Sequence, residues 1–330
     1  MIPRLEVEMK QRWGEINFLN SVENLQQVTS ESFSTLDEAT IQRAREGLAI
    51  ALDTLVRKSI QDALIHTDAI AQGTVPQKVS GEIRRLILRC LINSFFRVKV
   101  EYLSPLPTTP VLLAPNHLNH LDPFLILSEI PAAPYYHILG DARTLFNKWW
   151  KRQLLQSFQG VIPLERRWKE ELAIITAAKK GRIDLAELAQ EIEQNVSTGN
   201  SIQTLRQIDR CVQAIFASGD GILMFPEGIL GTMEGNLRPL KRGAAIYALR
   251  GGVPILPVAI IGTQNLYLGK ELILRFGQPL HFPLTKRPKP QQIQNVLNSV
   301  ERSLIEMLPT NYQEPPGLKL CRHFLNHMFW

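Results

Sequence analysis

Val111-Leu112-Leu113-Ala114-Pro115-Asn116-His117-Leu118-Asn119-His120-Leu121-Asp122-Pro123-Phe124 carries an apolar run, a polar turn and the start of a second apolar run. The first run stops at Pro115, and the second extends from Phe124 to Ile130. The pattern predicts a buried strand, a tight turn and a helix. Asp is a favoured N-cap and Pro a favoured first helical residue, so Asp122-Pro123 marks the helix start. Ionisable groups at a strand end and a helix mouth are the arrangement that open α/β sheets use for chemistry.

His117 and Asp122 are five positions apart, a spacing that a regular helix does not bring onto one face but a turn does. A carboxylate that holds one imidazole nitrogen fixes the tautomer and leaves the other nitrogen to take a proton from a hydroxyl. The turn has no Ser or Cys, so the hydroxyl belongs to a substrate. Blander roles stand beside this one. Asp122 as a simple helix cap and His120 as a surface or packing residue both satisfy the local pattern. A zinc site from His117, His120 and Asp122 lacks the helical His-x-x-x-His spacing, and the three cysteines lie far off at 90, 211 and 321.

The chain has 330 residues, 45% of them apolar, and a formal net charge of +6. That length holds one large domain or two smaller ones with a real core. The positive balance favours anionic partners without choosing among nucleic acid, membrane surface and phosphorylated substrate. Scattered cysteines give no disulfide framework and fit a reducing compartment. The start, Met1 to Lys10, lacks a signal-length apolar core, and no apolar run is long enough for a transmembrane helix.

Residues 1–80 read as a separate helical region. Ser34 to Ala39 resembles a capped start, and one helix is expected from Ile41 to Ile65 with Leu48, Leu52, Leu55, Val56, Ile60 and Leu64 at helical spacing. Gln72 to Gln77 is the expected boundary. From Ile83 to Val100 there are five basic and no acidic residues among Leu86, Ile87, Leu91 and Phe95. This is a basic amphipathic helix suited to a membrane interface, or a core helix with a basic edge. Trp149-Trp150 fits an interface, a lid over an acyl chain, or core. Gly160 to Arg166 is a strand that delivers Arg166 at its end, where a guanidinium suits phosphate or an ion pair. Pro163 is expected to interrupt its pairing. Residues 167–200 read as an inserted pair of helices joined at Gly181. Gly221 to Phe225 is a strand running into Pro226-Glu227-Gly228, and Val253 to Thr263 is another. Residues 286–330 form a helical tail, to dock on lipid or on the N-terminal helices.

Four of these blocks together resemble the glycerophospholipid acyltransferase family, which includes the lysophosphatidate acyltransferases. They are Asn116-His117 with Asp122, Gly160 to Arg166, Phe225-Pro226-Glu227-Gly228, and Val253-Pro254 to Val258. The resemblance covers roughly residues 100–285. It implies an α/β fold, a mixed sheet flanked by helices as in the glycerolphosphate acyltransferases, here with an N-terminal helical extension and an acyltransferase domain over 81–285. It implies His117 as general base oriented by Asp122, and Asn116, Arg166, Glu227 and Gly228 around the acceptor. The family continues its third block with Thr and a basic residue, whereas this chain has Ile229-Leu230. Leu230 replaces the phosphate-contacting arginine, and Arg238, Lys241 and Arg242 are the nearby cations that can supply the charge.

The implied reaction moves a fatty acyl group from acyl-CoA or acyl carrier protein to a glycerol-phosphate acceptor, lysophosphatidate first and glycerol 3-phosphate second. It needs no metal or bound cofactor and no nucleic acid. The expected partners are the donor thioester, a glycerophospholipid acceptor and an anionic membrane, at whose inner, cytoplasmic face the protein would sit. The alternative from another class is a lipid-binding or scaffolding relative without turnover.

Overall fold

The computed structural model describes residues 36–74, 79–199 and 202–329. The readings of Met1 to Lys10, of Ser34-Thr35, of Val75 to Gln77 and of Trp330 fall outside them.

Local chemistry sets the first helices. The Asp37 carboxylate accepts from the Thr40 amide at 2.8 Å and starts α1, Glu38–Leu52. The expected continuous helix breaks one residue later. Asp53 leaves the helical region (φ −62°, ψ 119°), and its side chain accepts from the Leu55 and Val56 amides to open α2, Thr54–Ala71. Ser80 caps α3, Gly81–Asn93.

Among the described residues the sheet has seven strands. They are β1 Arg97–Tyr102, β2 Leu112–Pro115, β3 Tyr136–Asp141, β4 Val161–Leu164, β5 Gly221–Met224, β6 Ile255–Ile261 and β7 Glu271–Phe276. Their order is β1-β7-β6-β2-β5-β3-β4. β2 to β6 run parallel, while β7 is antiparallel to β6 and carries β1 parallel to itself. This is the mixed sheet the resemblance implied. Central strands β2, β5 and β6 are buried along their whole length, which explains their unbroken apolar sequences. Alternate residues feed opposite cores. Leu113, Leu223 and Leu256 join α2, α3 and the helix after the first turn, α4 (Asp122–Glu129). Leu112, Ile222 and Ile255 face α9 (Ile202–Ala217), α10 (Gly243–Gly251) and α11 (Pro290–Met307).

Pro163 does not interrupt pairing. It lies opposite Gly140 in β4, an edge strand, where a missing amide is tolerated. Two short helices follow β3, α5 (Ala142–Phe146) and α6 (Trp149–Phe158). The tryptophan pair divides: Trp149 is exposed, while Trp150 packs on Phe124 with ring centroids 5.6 Å apart.

Contacts divide the chain into two units, one up to Ala49 with Arg167–Val196, the other Ile50–Arg166 with the residues from Ser197 on. In the first, α7 (Lys169–Lys179) and α8 (Ala186–Asn195) flank Gly181 at φ +103°. The units cut across the expected boundaries at 80 and 285, because α2 and α11 both pack with the sheet. The tail helix α12, Arg322–Phe329, buries Leu325 in the core, and Asn326 bonds both backbone groups of Leu266.

Candidate active site

Five parallel strands end at one edge of the sheet, and each delivers part of a single site. β2 leads into Asn116 and His117, β3 ends on Asp141, β4 leads to Arg166, β5 to Phe225–Glu227, and β6 to Gly262 and Thr263. A polar cluster at the carboxyl ends of parallel strands follows from topology, since each strand's next loop opens there.

His117 is fixed on every side. Its Nδ1 lies 2.9 Å from Asp122 Oδ2. The same oxygen accepts from the Leu118 amide at 2.7 Å and the Asn119 amide at 2.8 Å. The carboxylate therefore holds Nδ1 as the donor and leaves Nε2 to accept a proton. Asp122 is fully buried. It is the first residue of α4 rather than its cap, and Leu121 occupies the cap position with no side-chain bond. The capping role is thus corrected: the carboxylate turns back into the turn.

The third block acts as a clamp. Glu227 Oε1 accepts from the His117 amide at 2.8 Å, and Oε2 accepts from the Arg238 amide at 2.7 Å. The Gly231 amide donates to the His117 carbonyl at 2.6 Å. The Phe225 ring stacks on the imidazole at 3.8 Å. Burial pushes the Glu227 carboxyl above the usual range, and its two backbone amides and His117 oppose the rise.

Two residues read as substrate contacts are therefore turned inward. Glu227 is buried under His117. Asn116 is buried with its amide divided between the Ile260 carbonyl at 3.0 Å and the Ile260 amide at 2.7 Å, which locks the end of β2 to β6. Both hold the His117 turn from behind.

Arg166 is exposed. Nε bonds Asp141 at 3.1 Å and Nη2 bonds the Gly228 carbonyl at 2.8 Å, so the second and third blocks meet. Gly228 has φ +69°, which glycine adopts freely. A Cβ there would stand 3.4 Å from Lys241 Cγ and 4.0 Å from Arg166 Nη1. Two cations thus flank Gly228. Arg238 is half-buried and joins through its backbone, and Arg242 is exposed at the start of α10.

His120 lies edge-on to His117 at 6.1 Å. Among the described residues no group of three or more His, Cys, Asp and Glu can hold a metal ion. A second pair, the buried His137 Nε2 and the partly buried Asp220 Oδ2 at 3.1 Å, lies at the opposite, amino-terminal edge of the sheet, away from the converging loops. Gly231 and Asp141 carry no local signal of a site, and each looks like ordinary strand or loop until the strands align; Phe225 belongs to a recognised block, but its stacking on His117 shows only in the fold.

The model of the Acyltransferase family matches residues 97–261, half of the chain. The chloroplastic 1-acyl-sn-glycerol-3-phosphate acyltransferase of Brassica napus is 25% identical over 198 residues, 59% of this chain and 46% of that protein. The Arabidopsis thaliana chloroplastic protein of the same description is 24% identical over the same share of this chain and 45% of its own length. The chain thus spans about half the length of these relatives. The human 1-acyl-sn-glycerol-3-phosphate acyltransferase alpha is 31% identical over 81 residues, 24% of this chain and 27% of that protein. The crystal structure of the 1-acyl-sn-glycerophosphate acyltransferase PlsC from Thermotoga maritima overlaps 77% of this chain and 96% of its own at 14% identity and a TM-score of 0.38. The matched stretch runs from the first residue of β1 to the last of β6 and contains His117, Asp122, Arg166 and the Glu227 clamp: the chain belongs to the acyltransferase family.

Proposed function

We propose that this protein transfers a fatty acyl group from an acyl thioester, acyl-CoA or acyl carrier protein, to the free hydroxyl of lysophosphatidate. The observation that carries the reading is the His117–Asp122 pair, with its imidazole stacked, its backbone clamped at both ends and Nε2 left as the acceptor. His117 Nε2 takes the hydroxyl proton as the oxygen attacks the thioester carbonyl. The tetrahedral intermediate collapses, the carbon–sulfur bond breaks, and the imidazolium returns the proton to the leaving thiolate. Attack is direct, with no acyl-enzyme. No bound metal or cofactor takes part in the proposed steps. Arg166 and Lys241, on either side of Gly228, hold the acceptor phosphate in place of the arginine that Leu230 replaces. The curated relatives described as 1-acyl-sn-glycerol-3-phosphate acyltransferases support lysophosphatidate as the acceptor.

The test is transfer from a labelled acyl thioester to lysophosphatidate, glycerol 3-phosphate and a phosphate-free lysolipid. Transfer to lysophosphatidate is expected. Preference for glycerol 3-phosphate would move the reading to the first acylation step, and transfer to none would leave the lipid-binding alternative. Arg166→Ala is expected to raise KM for the phosphorylated acceptor by roughly tenfold or more, since charged hydrogen bonds contribute about 1.5–3 kcal/mol each. KM for the thioester should stay near wild type. An unchanged acceptor KM would remove Arg166 from the phosphate site.

The reading includes peripheral attachment to an anionic membrane through α3. The helix buries Arg84, Leu88 and Ile92 and leaves Ile83, Leu86, Ile87 and Leu91 as an exposed apolar stripe, Leu86 63% and Leu91 44% accessible. Its arginines are engaged with the protein. Arg84 bonds the Tyr136 carbonyl and lies over the Tyr135 ring, Arg85 bonds the Glu129 carbonyl, and Arg89 pairs with the Glu129 carboxylate. Apolar insertion therefore supplies most of the attraction, with charge secondary. α3 packs on α4, the helix that begins at Asp122, so the stripe and the base pair share one support. No helix among the described residues is long and apolar enough to cross a membrane. In a flotation assay with vesicles containing anionic lipid, the wild type should rise with the lipid. The double variant Leu86→Glu/Leu91→Glu should lose at least ~10-fold in partitioning, because each buried leucine contributes up to ~1.5–3 kcal/mol. Wild-type protein left at the bottom would contradict the attachment.

A further inference from the structure

Arg166 is gripped by a part of the chain that lies outside the four sequence blocks, the turn from β3 into α5. β3 and β4 pair in parallel with Asp141 opposite Leu164, two residues short of Arg166. Strand pairing therefore brings the end of β3 beside Arg166. Asp141 divides its carboxylate between two tasks. Oδ1 accepts from the Thr144 amide and from the Thr144 hydroxyl, both at 2.9 Å, which makes Asp141 the N-cap of α5. Oδ2 accepts from Arg166 Nε at 3.1 Å.

The backbone of Arg166 is held from the same place. The buried Arg143 donates from Nη2 to the Arg166 carbonyl at 2.8 Å. α5 is in turn closed at its far end, where the buried Lys151 ammonium donates to the Thr144 carbonyl at 3.1 Å and to Asn147 Oδ1 at 3.0 Å. Side chain and backbone of one exposed arginine thus have partners on a single short, fastened segment.

The grip decides which part of the guanidinium is offered. Nε is engaged by Asp141, and Nη2 by the Gly228 carbonyl at 2.8 Å. Nη1 carries neither bond. It stands 4.0 Å from where a Gly228 Cβ would be, and Lys241 Cγ and Cε approach the same point at 3.4 and 4.0 Å. A guanidinium is planar with fixed N–H directions, so bonds on Nε and Nη2 also aim Nη1. An arginine that is ordered before an anion arrives does not lose rotamer freedom at binding. An acid beside such an arginine has two opposed effects: its charge repels the anion, and its hydrogen bond orients the donor. Asp141 takes Nε and leaves Nη1 open, which favours orientation.

We propose that Asp141 is a positioning residue for acceptor binding. Anchored by its cap of α5, it holds Arg166 so that Nη1 faces the space over Gly228, beside Lys241, where the phosphate monoester of the acceptor sits. The inference rests on the reading of Arg166 and Lys241 as the phosphate site. The effect of Asp141 on the acceptor passes through Arg166.

Asp141→Asn separates the two tasks. Asparagine caps a helix as well as aspartate does, and its one carbonyl oxygen keeps both Thr144 bonds. Its NH₂ then meets Arg166 Nε, donor against donor, and the grip is released. Full-length wild type, Asp141→Asn, Arg166→Ala and the double variant are compared in acyl transfer and in calorimetric binding of a short-chain lysophosphatidate and of the phosphate-free lysolipid of the same chain length. Asp141→Asn should unfold near the wild-type temperature. It should weaken lysophosphatidate binding, and raise its KM, by about three- to tenfold with kcat within about twofold. The loss is smaller than in Arg166→Ala because the Gly228 carbonyl and Arg143 still hold the arginine. Binding of the phosphate-free lysolipid should not change. In the Arg166→Ala background Asp141→Asn should add no further loss, since its route is that side chain. The sign decides: losing the Asp141 charge without losing a positioning contact would tighten phosphate binding. Tighter or unchanged lysophosphatidate binding in Asp141→Asn, an equal loss for the phosphate-free lysolipid, or a further loss in the double variant would overturn the proposal. So would wild-type lysophosphatidate binding that is absent or independent of Arg166. Should wild type bind lysophosphatidate with the expected pattern and transfer no acyl group, the positioning of Arg166 stands and it is the acyltransferase reading that fails.

Discussion

His117→Ala is expected to lower acyl transfer by on the order of 10²–10⁴-fold, the contribution of a positioned general base. The loss should fall on kcat, with KM for either substrate close to wild type. The folded state should survive, because Asp122 Oδ2 keeps its bonds to the Leu118 and Asn119 amides and the turn does not depend on the imidazole. The backbone clamp at residue 117 is likewise independent of its side chain. Asp122→Asn supplies the comparison. All three bonds converge on one oxygen, so an asparagine oriented with its carbonyl there keeps the turn but removes the charge that stabilises an imidazolium. It should be impaired in kcat without a comparable loss of stability. Rates from single turnovers, beside thermal unfolding of each variant, check both statements. Full activity in His117→Ala would end the general-base reading.

Glu227→Gln should be damaging in a different way. Both carboxylate oxygens accept backbone amides, at 2.8 and 2.7 Å. A glutamine must turn its NH₂ toward one of them, placing donor against donor in a buried site. One unsatisfied buried amide costs about 1–3 kcal/mol, and Glu227→Ala, which strands two, about 2–6 kcal/mol. The lost partner is the His117 or Arg238 amide, so stability and turnover should fall together, unlike in His117→Ala. Burial also makes the carboxylate form costly, with the folded-state value above that of the unfolded chain. The stability associated with the proton is fully present below the unfolded value and is lost as pH rises through the folded one. Chemical unfolding of wild type at several pH values should therefore show this group's contribution falling as pH rises through that window, whereas Glu227→Gln, which carries no such proton, lacks that dependence. Equal stability of wild type and Glu227→Gln at neutral pH would contradict the two-acceptor geometry.

Two buried glutamates of one loop, Glu227 and Glu234, thus acquire different partners from their surroundings, the first accepting at both oxygens and the second at one, and nothing local in the sequence separates them. Much else was legible. Strong periodic or continuous apolar runs marked β2, β5 and β6, because a strand buried on both faces has to be apolar at every position. Pro115 closing one run and Asp122-Pro123 opening the next located the turn, and the spacing of His117 and Asp122 was enough to pair them. Glycine at 181 marked a helix break because a positive φ suits it.

Other features needed the fold. Asp53 reads like any charged residue on a long helix until its carboxylate is seen capping α2. The arginines of α3 suggest a basic surface, yet three of them are bonded to groups 40 or more residues away, leaving the leucines outside. Asn116 and Glu227 look like substrate contacts because they are polar and border His117, but Asn116 bonds Ile260 on β6, and Glu227 bonds the His117 amide of another loop and the Arg238 amide of its own. The sequence alone determined which residues are fit to form a base pair, since tautomer and proton transfer depend on side-chain type and local spacing. Only the tertiary structure decided which polar residues stand open at the strand ends and which hold His117 from behind, because burial and hydrogen-bond partners are set by the meeting of five strand ends distant in the chain.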